Sequence, residues 1–160
     1  MRALLAFGSA PATLIAQHEA WRVGMAKISG GCLCGAVRYE SSAEPLGSAI
    51  CHCTDCQHVS GSAFSVNIVV PASSVSFKGE GLVSFAHKGG SGKSLSRKFC
   101  RNCGSSIATE AEALPGALII KAGTLDDSSW LKPNTHLWTS SAQSWVRIDP
   151  EAKAFPKGRT

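Results

Sequence analysis

Short stretches of alternating apolar and polar residues recur along most of this chain, separated by clusters of glycine, proline and serine. Residues 36–40 alternate with a period of two behind the turn signal Gly30-Gly31 and predict a strand. After a loop at 41–45, residues 46–51 predict a short strand, and residues 54–61 a polar turn or a single helical turn. Residues 63–70 are rich in β-branched side chains and stop at Pro71, which predicts a further strand. Residues 75–77 and 82–87 alternate on either side of Lys78-Gly79-Glu80-Gly81 and predict a hairpin. A glycine-rich loop at 88–93 precedes a strand at 94–100. Strands are expected at 107–110 and 118–122 around Pro115-Gly116, at 135–139, and as an edge piece at 144–148, with an irregular tail from Asp149. Many short strands, no internal repeat and no long amphipathic helix predict a mainly β domain.

The first 24 residues depart from this pattern. Arg2 is followed by a mildly apolar run at 3–16 that Gly8 and Pro11 interrupt. A small-x-small cleavage site is missing, which argues against a signal peptide. Residues 1–24 are expected to be an extension outside the fold, either an amphipathic or disordered segment or a stretch preceding a functional start at Met25, with residues 25–160 as the domain.

The 160 residues are 44% hydrophobic and 17% charged, the balance of a globular protein with a real core. No apolar run approaches the ~20 residues of a membrane helix, so no membrane partner is expected. The formal charge of +5 counts every cysteine as neutral. With seven thiolates and two divalent zinc ions it falls to about +2, and the basic excess becomes weak support for a nucleic-acid partner.

All seven cysteines fall in three clusters: Cys32 and Cys34, then Cys51, Cys53 and Cys56, then Cys100 and Cys103. C-x-C and C-x-x-C spacings and an odd total fit metal ligation in a reducing compartment better than a disulfide framework, and a cytoplasmic location follows. Zinc takes four ligands in a tetrahedron, and two knuckles complete a closed site. Cys32/Cys34 with Cys100/Cys103 would make one, clamping an early turn to a late one. Cys53/Cys56 with Cys100/Cys103 would make an ordinary zinc ribbon, and spacing leaves both open. In the first partition Cys51, Cys53 and Cys56 hold an ion on one side only, the pattern of a catalytic zinc with an exchangeable position.

The motifs Gly31-Cys32-Leu33-Cys34-Gly35-Ala36-Val37-Arg38-Tyr39, Cys51-His52-Cys53-Thr54-Asp55-Cys56-Gln57, Ser60-Gly61-Ser62-Ala63-Phe64 and Phe99-Cys100-Arg101-Asn102-Cys103-Gly104-Ser105 occur in this order. Together they resemble the glutathione-dependent formaldehyde-activating enzyme family, which includes the centromere protein V domain, over about residues 30–145. His136 and Trp138 stand where the family often has an H-x-aromatic strand. The resemblance implies a β-tent fold with two zinc ions. It implies Cys32, Cys34, Cys100 and Cys103 on a structural zinc, and Cys51, Cys53 and Cys56 on a catalytic one. It also implies carbon–sulfur chemistry, in which glutathione or a similar small thiol adds to formaldehyde or a related aldehyde. His52 or Asp55 is expected to shuttle the proton. From Met25 the chain is shorter than the founding enzymes, so loops that recognise glutathione are in question. The alternative from another class is a non-catalytic, zinc-stabilised β module that binds a protein or nucleic acid.

Other features read as structural. Gly89-Gly90-Ser91-Gly92-Lys93-Ser94 ends like a phosphate-binding loop, but His87 stands where that loop needs its first glycine, and a strand rather than a helix follows. His58 and His87 read as surface histidines, and His136 as a sheet residue with a minor claim to the fourth zinc position. Arg97, Lys98 and Arg101 bracket the late knuckle, either as an anion site or as compensation for thiolate charge. Trp130, Trp138 and Trp145 read as core or rim packing.

Overall fold

The computed structural model describes residues 28–159; the expectations for residues 1–24 and for Met25 lie outside them. Strands β1 (Ile28–Gly31), β2 (Val37–Ser41) and β5 (Val75–Gly79) form a three-stranded sheet in the order β1-β2-β5. The larger sheet has eight strands. These are β3 (Gly47–Cys51), β4 (Ser65–Pro71), β6 (Leu82–Lys88), β7 (Ser94–Cys100), β8 (Ser106–Ala111), β9 (Ala117–Lys121), β10 (Thr135–Leu137) and β11 (Lys153–Phe155). Their order is β11-β10-β3-β4-β9-β8-β7-β6. One α-helix, α1 (Thr54–Ser60), follows β3 among the described residues. The mainly β architecture expected from the sequence is therefore present.

The two sheets enclose the core. Ile28, Val37 and Tyr39 from the small sheet meet Ile68, Val70, Leu118 and Ile120 from the large one. Period-two alternation then turns Asn67 and Val69 of β4, and Ile119 and Lys121 of β9, onto the opposite face of the large sheet. A register shift between Lys98 and Phe99 leaves an extra residue in β8. This bulge lets neighbouring Ile107 and Ala108 both turn into the core, where both are fully buried.

The sequence pattern misassigned several pairings. Residues 75–77 and 82–87 are strands, but they do not form a hairpin. β5 pairs with β2 and β6 with β7, so the chain passes from one sheet to the other between them. Gly79 stays in register with Val37 at φ +84°, and Gly81 accepts a hydrogen bond from the Arg101 N–H at 2.8 Å. Alternation reveals a strand but not its partner.

Gly30-Gly31 is not a turn but the end of β1. A Cβ at Gly30 would overlap the Thr124 carbonyl and the Tyr39 ring, so glycine serves close approach there. Residues 144–148 form a turn and an irregular segment. The edge strand is instead β11, parallel to β10 within the tail expected to be irregular. The glycine-rich segment closes the β6–β7 hairpin, and the strand that follows it rules out the phosphate-loop reading.

Candidate metal centres and cavity

Two tight turns build the first centre. Cys32 and Cys34 lie in the β1–β2 turn, which closes through Cys32 N–H to Val37 O at 2.9 Å. The Val37 N–H also points at Cys32 Sγ, 3.2 Å away, as it would at a thiolate. Cys100 and Cys103 lie in the β7–β8 turn, where the Gly104 N–H donates to Cys100 O at 2.8 Å. Leu33 N–H reaches across to Ser105 Oγ at 3.1 Å, stitching the turns together. Ser105 lies 3.3 Å from Cys103 Sγ, and hydrogen bonds from its hydroxyl and backbone hold that thiol down to about 5.

The four sulfurs lie within 4.8 Å of one another. Cys32 and Cys34 sulfurs are 3.5 Å apart, and Cys34 and Cys100 sulfurs 3.8 Å. A tetrahedron with zinc–sulfur bonds of about 2.3 Å has sulfur–sulfur edges of about 3.8 Å, so this cluster has the dimensions of a closed tetrathiolate site. The structure thus groups Cys100 and Cys103 with Cys32 and Cys34, not with Cys53 and Cys56 as a zinc ribbon would require. Because the two turns belong to different sheets, an ion here joins the small sheet to the large one.

The second centre sits where β3 runs into α1. Cys51 ends the strand, Cys53 caps the helix, and Cys56 lies in its first turn, with its N–H 3.4 Å from Cys53 Sγ. Here too the three sulfurs lie within 4.8 Å. Hydrogen bonds from the Cys51 and Cys53 thiols hold Cys56 down to about 2, aided by the charges of Lys121 and Arg97. The neighbouring sulfurs and burial push Cys51 up. A bound cation would favour the thiolate form of all three. That donor set fits a thiophilic divalent metal.

The trio opens into a cavity of about 410 Å³ on the outer face of the large sheet. This lies within the roughly 300–1,000 Å³ usual for small-molecule sites. Ala49, Val69, Leu95, Ile119 and Leu137 give it apolar walls, while Asp55, Asn67, Arg97, Thr109 and Lys121 give it polar points. Lys121 is buried, and its Nζ donates to Ser65 Oγ at 2.9 Å and to Asn67 Oδ1 at 3.0 Å. Burial lowers its basicity, against the opposing pull of the cysteine cluster. Arg97 Nε donates to His87 Nε2 at 2.7 Å. Gly89 and Gly90 of the β6–β7 loop and Trp138 also line the cavity, and Trp138 is held at φ +59°.

His52 lies on the other side. Alternation turns its ring away from the sulfurs of Cys51 and Cys53 into a fully buried position, outside the cavity lining. Its Nε2 is 2.9 Å from His136 Nδ1, and Phe64 packs edge-on against the ring. His136 is thereby committed to His52, and the metal-capable group contains the three cysteines without it. Gln57 secures the helix: its side-chain N–H groups donate to His52 O at 2.6 Å and Ser141 O at 2.9 Å.

Of the three late-knuckle cations, Arg97 lines the cavity. Lys98 pairs with Glu110 at 3.2 Å and Arg101 is exposed. Sequence reasoning missed Lys121, Asn67 and Thr109. The alternation of β4 and β9 carried a faint signal for them, a lysine and an asparagine inside otherwise apolar strands. Trp145 is 71% exposed, contrary to the packing role expected of it.

The family model for the glutathione-dependent formaldehyde-activating enzyme matches residues 27–141, a span that holds all seven cysteines and the cavity floor. The chain belongs to this family. A crystal structure of a Rhodobacter sphaeroides protein has a similar fold, with a TM-score of 0.50 and 22% identity over 66% of this chain and 91% of that one. No curated protein matches the chain in sequence. Membership in the formaldehyde-activating family supports a glutathione- and formaldehyde-related activity, and the two cysteine clusters give it sites able to hold metal ions.

Proposed function

We propose that this protein is a zinc-dependent carbon–sulfur lyase or synthase. It joins a small, glutathione-like thiol to formaldehyde or a related aldehyde, or cleaves such an adduct. The observation that carries this reading is the trio Cys51, Cys53 and Cys56, one ligand short of a tetrahedron and facing a cavity. Cys32, Cys34, Cys100 and Cys103 would hold a structural zinc. A zinc ion held by the trio would supply Lewis acidity and stabilise a substrate thiolate at neutral pH.

The chain's own residues supply the rest. In the forward direction a carbon–sulfur bond forms, the thiol loses its proton and the aldehyde oxygen gains one. Asp55 lines the cavity beside the trio and is the group placed to carry that proton at its carboxylate oxygen. Lys121 offers positive charge next to the reacting sulfur. Leu95, Ile119 and Leu137 exclude water from the walls and hold the two reactants together. His52 acts from behind, where its buried ring fixes the strand end that carries the trio. The seven free cysteines suit a reducing, cytoplasmic setting, and no described helix is long and apolar enough to cross a membrane.

Metal analysis coupled to formaldehyde–glutathione exchange measured by NMR tests this reading. Two zinc ions per chain with accelerated exchange support it. Two zinc ions with no acceleration across several thiols would sink it in favour of a non-catalytic binding module.

A further inference from the structure

The β6–β7 hairpin carries a chain of contacts that ends on the Asp55 carboxylate. Phe85 stands directly opposite Arg97 in the register, and His87 is the diagonal neighbour of Arg97 on the same face. The Phe85 ring stacks on the His87 imidazole with centroids 5.5 Å apart and planes 20° apart. His87 Nδ1 is 3.0 Å from Lys88 O, which can only accept, so Nδ1 carries the proton and Nε2 is left as an acceptor. Arg97 Nε donates to that Nε2 at 2.7 Å. A guanidinium is planar, so fixing Nε fixes where its other nitrogens lie. Arg97 is buried, and its Nη2 stands 3.7 Å from Asp55 Oδ2. That distance is a charge contact rather than a hydrogen bond, so it orients the carboxylate without occupying its oxygens. Two residues after His87 the chain passes the same carboxylate: a Cβ at Gly89 would stand 3.8 Å from Asp55 Oδ2.

We infer that His87 and Arg97 are positioning residues for the reaction: His87 fixes the plane of the Arg97 guanidinium, and Arg97 holds the Asp55 carboxylate in place beside the cysteine trio. This inference rests on the function proposed above, in which Asp55 carries the proton. His87 thereby gains a role that its place on an edge strand conceals, and the exposed Phe85 ring gains one as the brace behind the imidazole. The rival account of Arg97 is compensation of thiolate charge, since its charge also acts on Cys56. Compensation needs a positive charge nearby but no particular orientation. It leaves unexplained a neutral imidazole, with its tautomer set by Lys88 O, accepting from Arg97 Nε.

The test follows formaldehyde–glutathione exchange by NMR in the full chain with both clusters loaded with zinc, and checks the metal content of every sample. His87→Leu removes the acceptor that orients Arg97. Its kcat should fall about ten-fold or more while KM for glutathione stays unchanged, since a misplacement of about 1 Å can cost up to about 100-fold. His87→Gln, whose amide oxygen can accept from Arg97 Nε, should recover most of that loss. Arg97→Lys keeps the charge but has no planar fork to serve His87 and Asp55 together, and its kcat should fall by a similar factor. In an Asp55→Asn background neither His87→Leu nor Arg97→Lys should cost more, because the three groups act as one unit. Full turnover in Arg97→Lys would overturn the inference in favour of charge compensation. Losses that multiply in full with that of Asp55→Asn would overturn it in favour of a structural role. Either result leaves the proposed reaction standing, whereas an unmodified zinc-loaded protein that accelerates exchange with no thiol would overturn both.

Discussion

Arg97 Nη2 stands 3.7 Å from Asp55 Oδ2, so a charge pair ties strand β7 to the helix that begins at the cysteine trio. Strand and helix come from opposite ends of the large sheet, which curls until they meet over the cavity. Asp55→Asn removes the carboxylate that the mechanism uses and keeps its shape. The variant should retain both metals while its turnover falls about 100-fold or more, the usual scale of general acid–base catalysis. Metal content and the exchange rate, measured on the same sample, check this. Full metal with unchanged turnover would remove Asp55 from the mechanism.

The two cysteine clusters should separate by mutation. Cys53→Ser is expected to lower the metal content by one ion per chain and abolish turnover while the thermal transition stays cooperative. Elemental analysis with calorimetry is the check.

Cys100→Ser strikes the site that joins the sheets. A structural zinc contributes on the order of 10 kcal/mol to folding, comparable with the roughly 5–15 kcal/mol net stability of a domain. This variant should lose its cooperative unfolding transition, as should the natural protein in the presence of a strong chelator.

Tyr39 is the single tyrosine of the chain and is fully buried. The Thr124 hydroxyl spends its proton on Lys121 O at 2.7 Å, so Tyr39 donates to Thr124 Oγ1 at 2.8 Å. Burial pushes its phenol from 10.0 up to about 12, with the Thr124 hydrogen bond opposing the rise. A raised folded-state pKa means that the neutral form is favoured in the native protein. The associated stability, about 2–3 kcal/mol, is complete below pH 10 and drains away as the pH climbs towards 12. Phenolate absorbance and denaturant unfolding across that range measure it, and Tyr39→Phe should flatten the dependence.

Gly30→Ala should cost about 3 kcal/mol, since the added methyl has only the Thr124 carbonyl and the Tyr39 ring to displace. Urea unfolding is the check. Gly47→Ala, in β3 with open space around its missing Cβ, serves as the control.

The cysteine clusters were legible because metal ligation constrains short spacings, and short spacings survive in one dimension. The strand positions were legible because burial imposes a period of two. Partnership was not. β5 and β6 are close in sequence and alternate well, yet they belong to different sheets because the chain turns at Gly79 to pass the late knuckle. The cavity floor was hidden for a related reason. Lys121 and Thr109 come together through the β8–β9 ladder and Arg97 through β7–β8, with no local pattern linking the three. β11 was hidden because three residues beside β10 leave too little alternation to see.

The ligands of the sheet-joining centre come from turns 66 positions apart, whereas those of the trio lie within one strand end and one helical turn. During synthesis the trio can therefore recruit an ion from its own short segment, long before Cys103 has left the ribosome. The seam between the sheets has to wait for Cys100 and Cys103, when four of the eight strands of the large sheet have been made. Loading order would thus be set by the chain: the trio could fill before the centre that would join the two sheets.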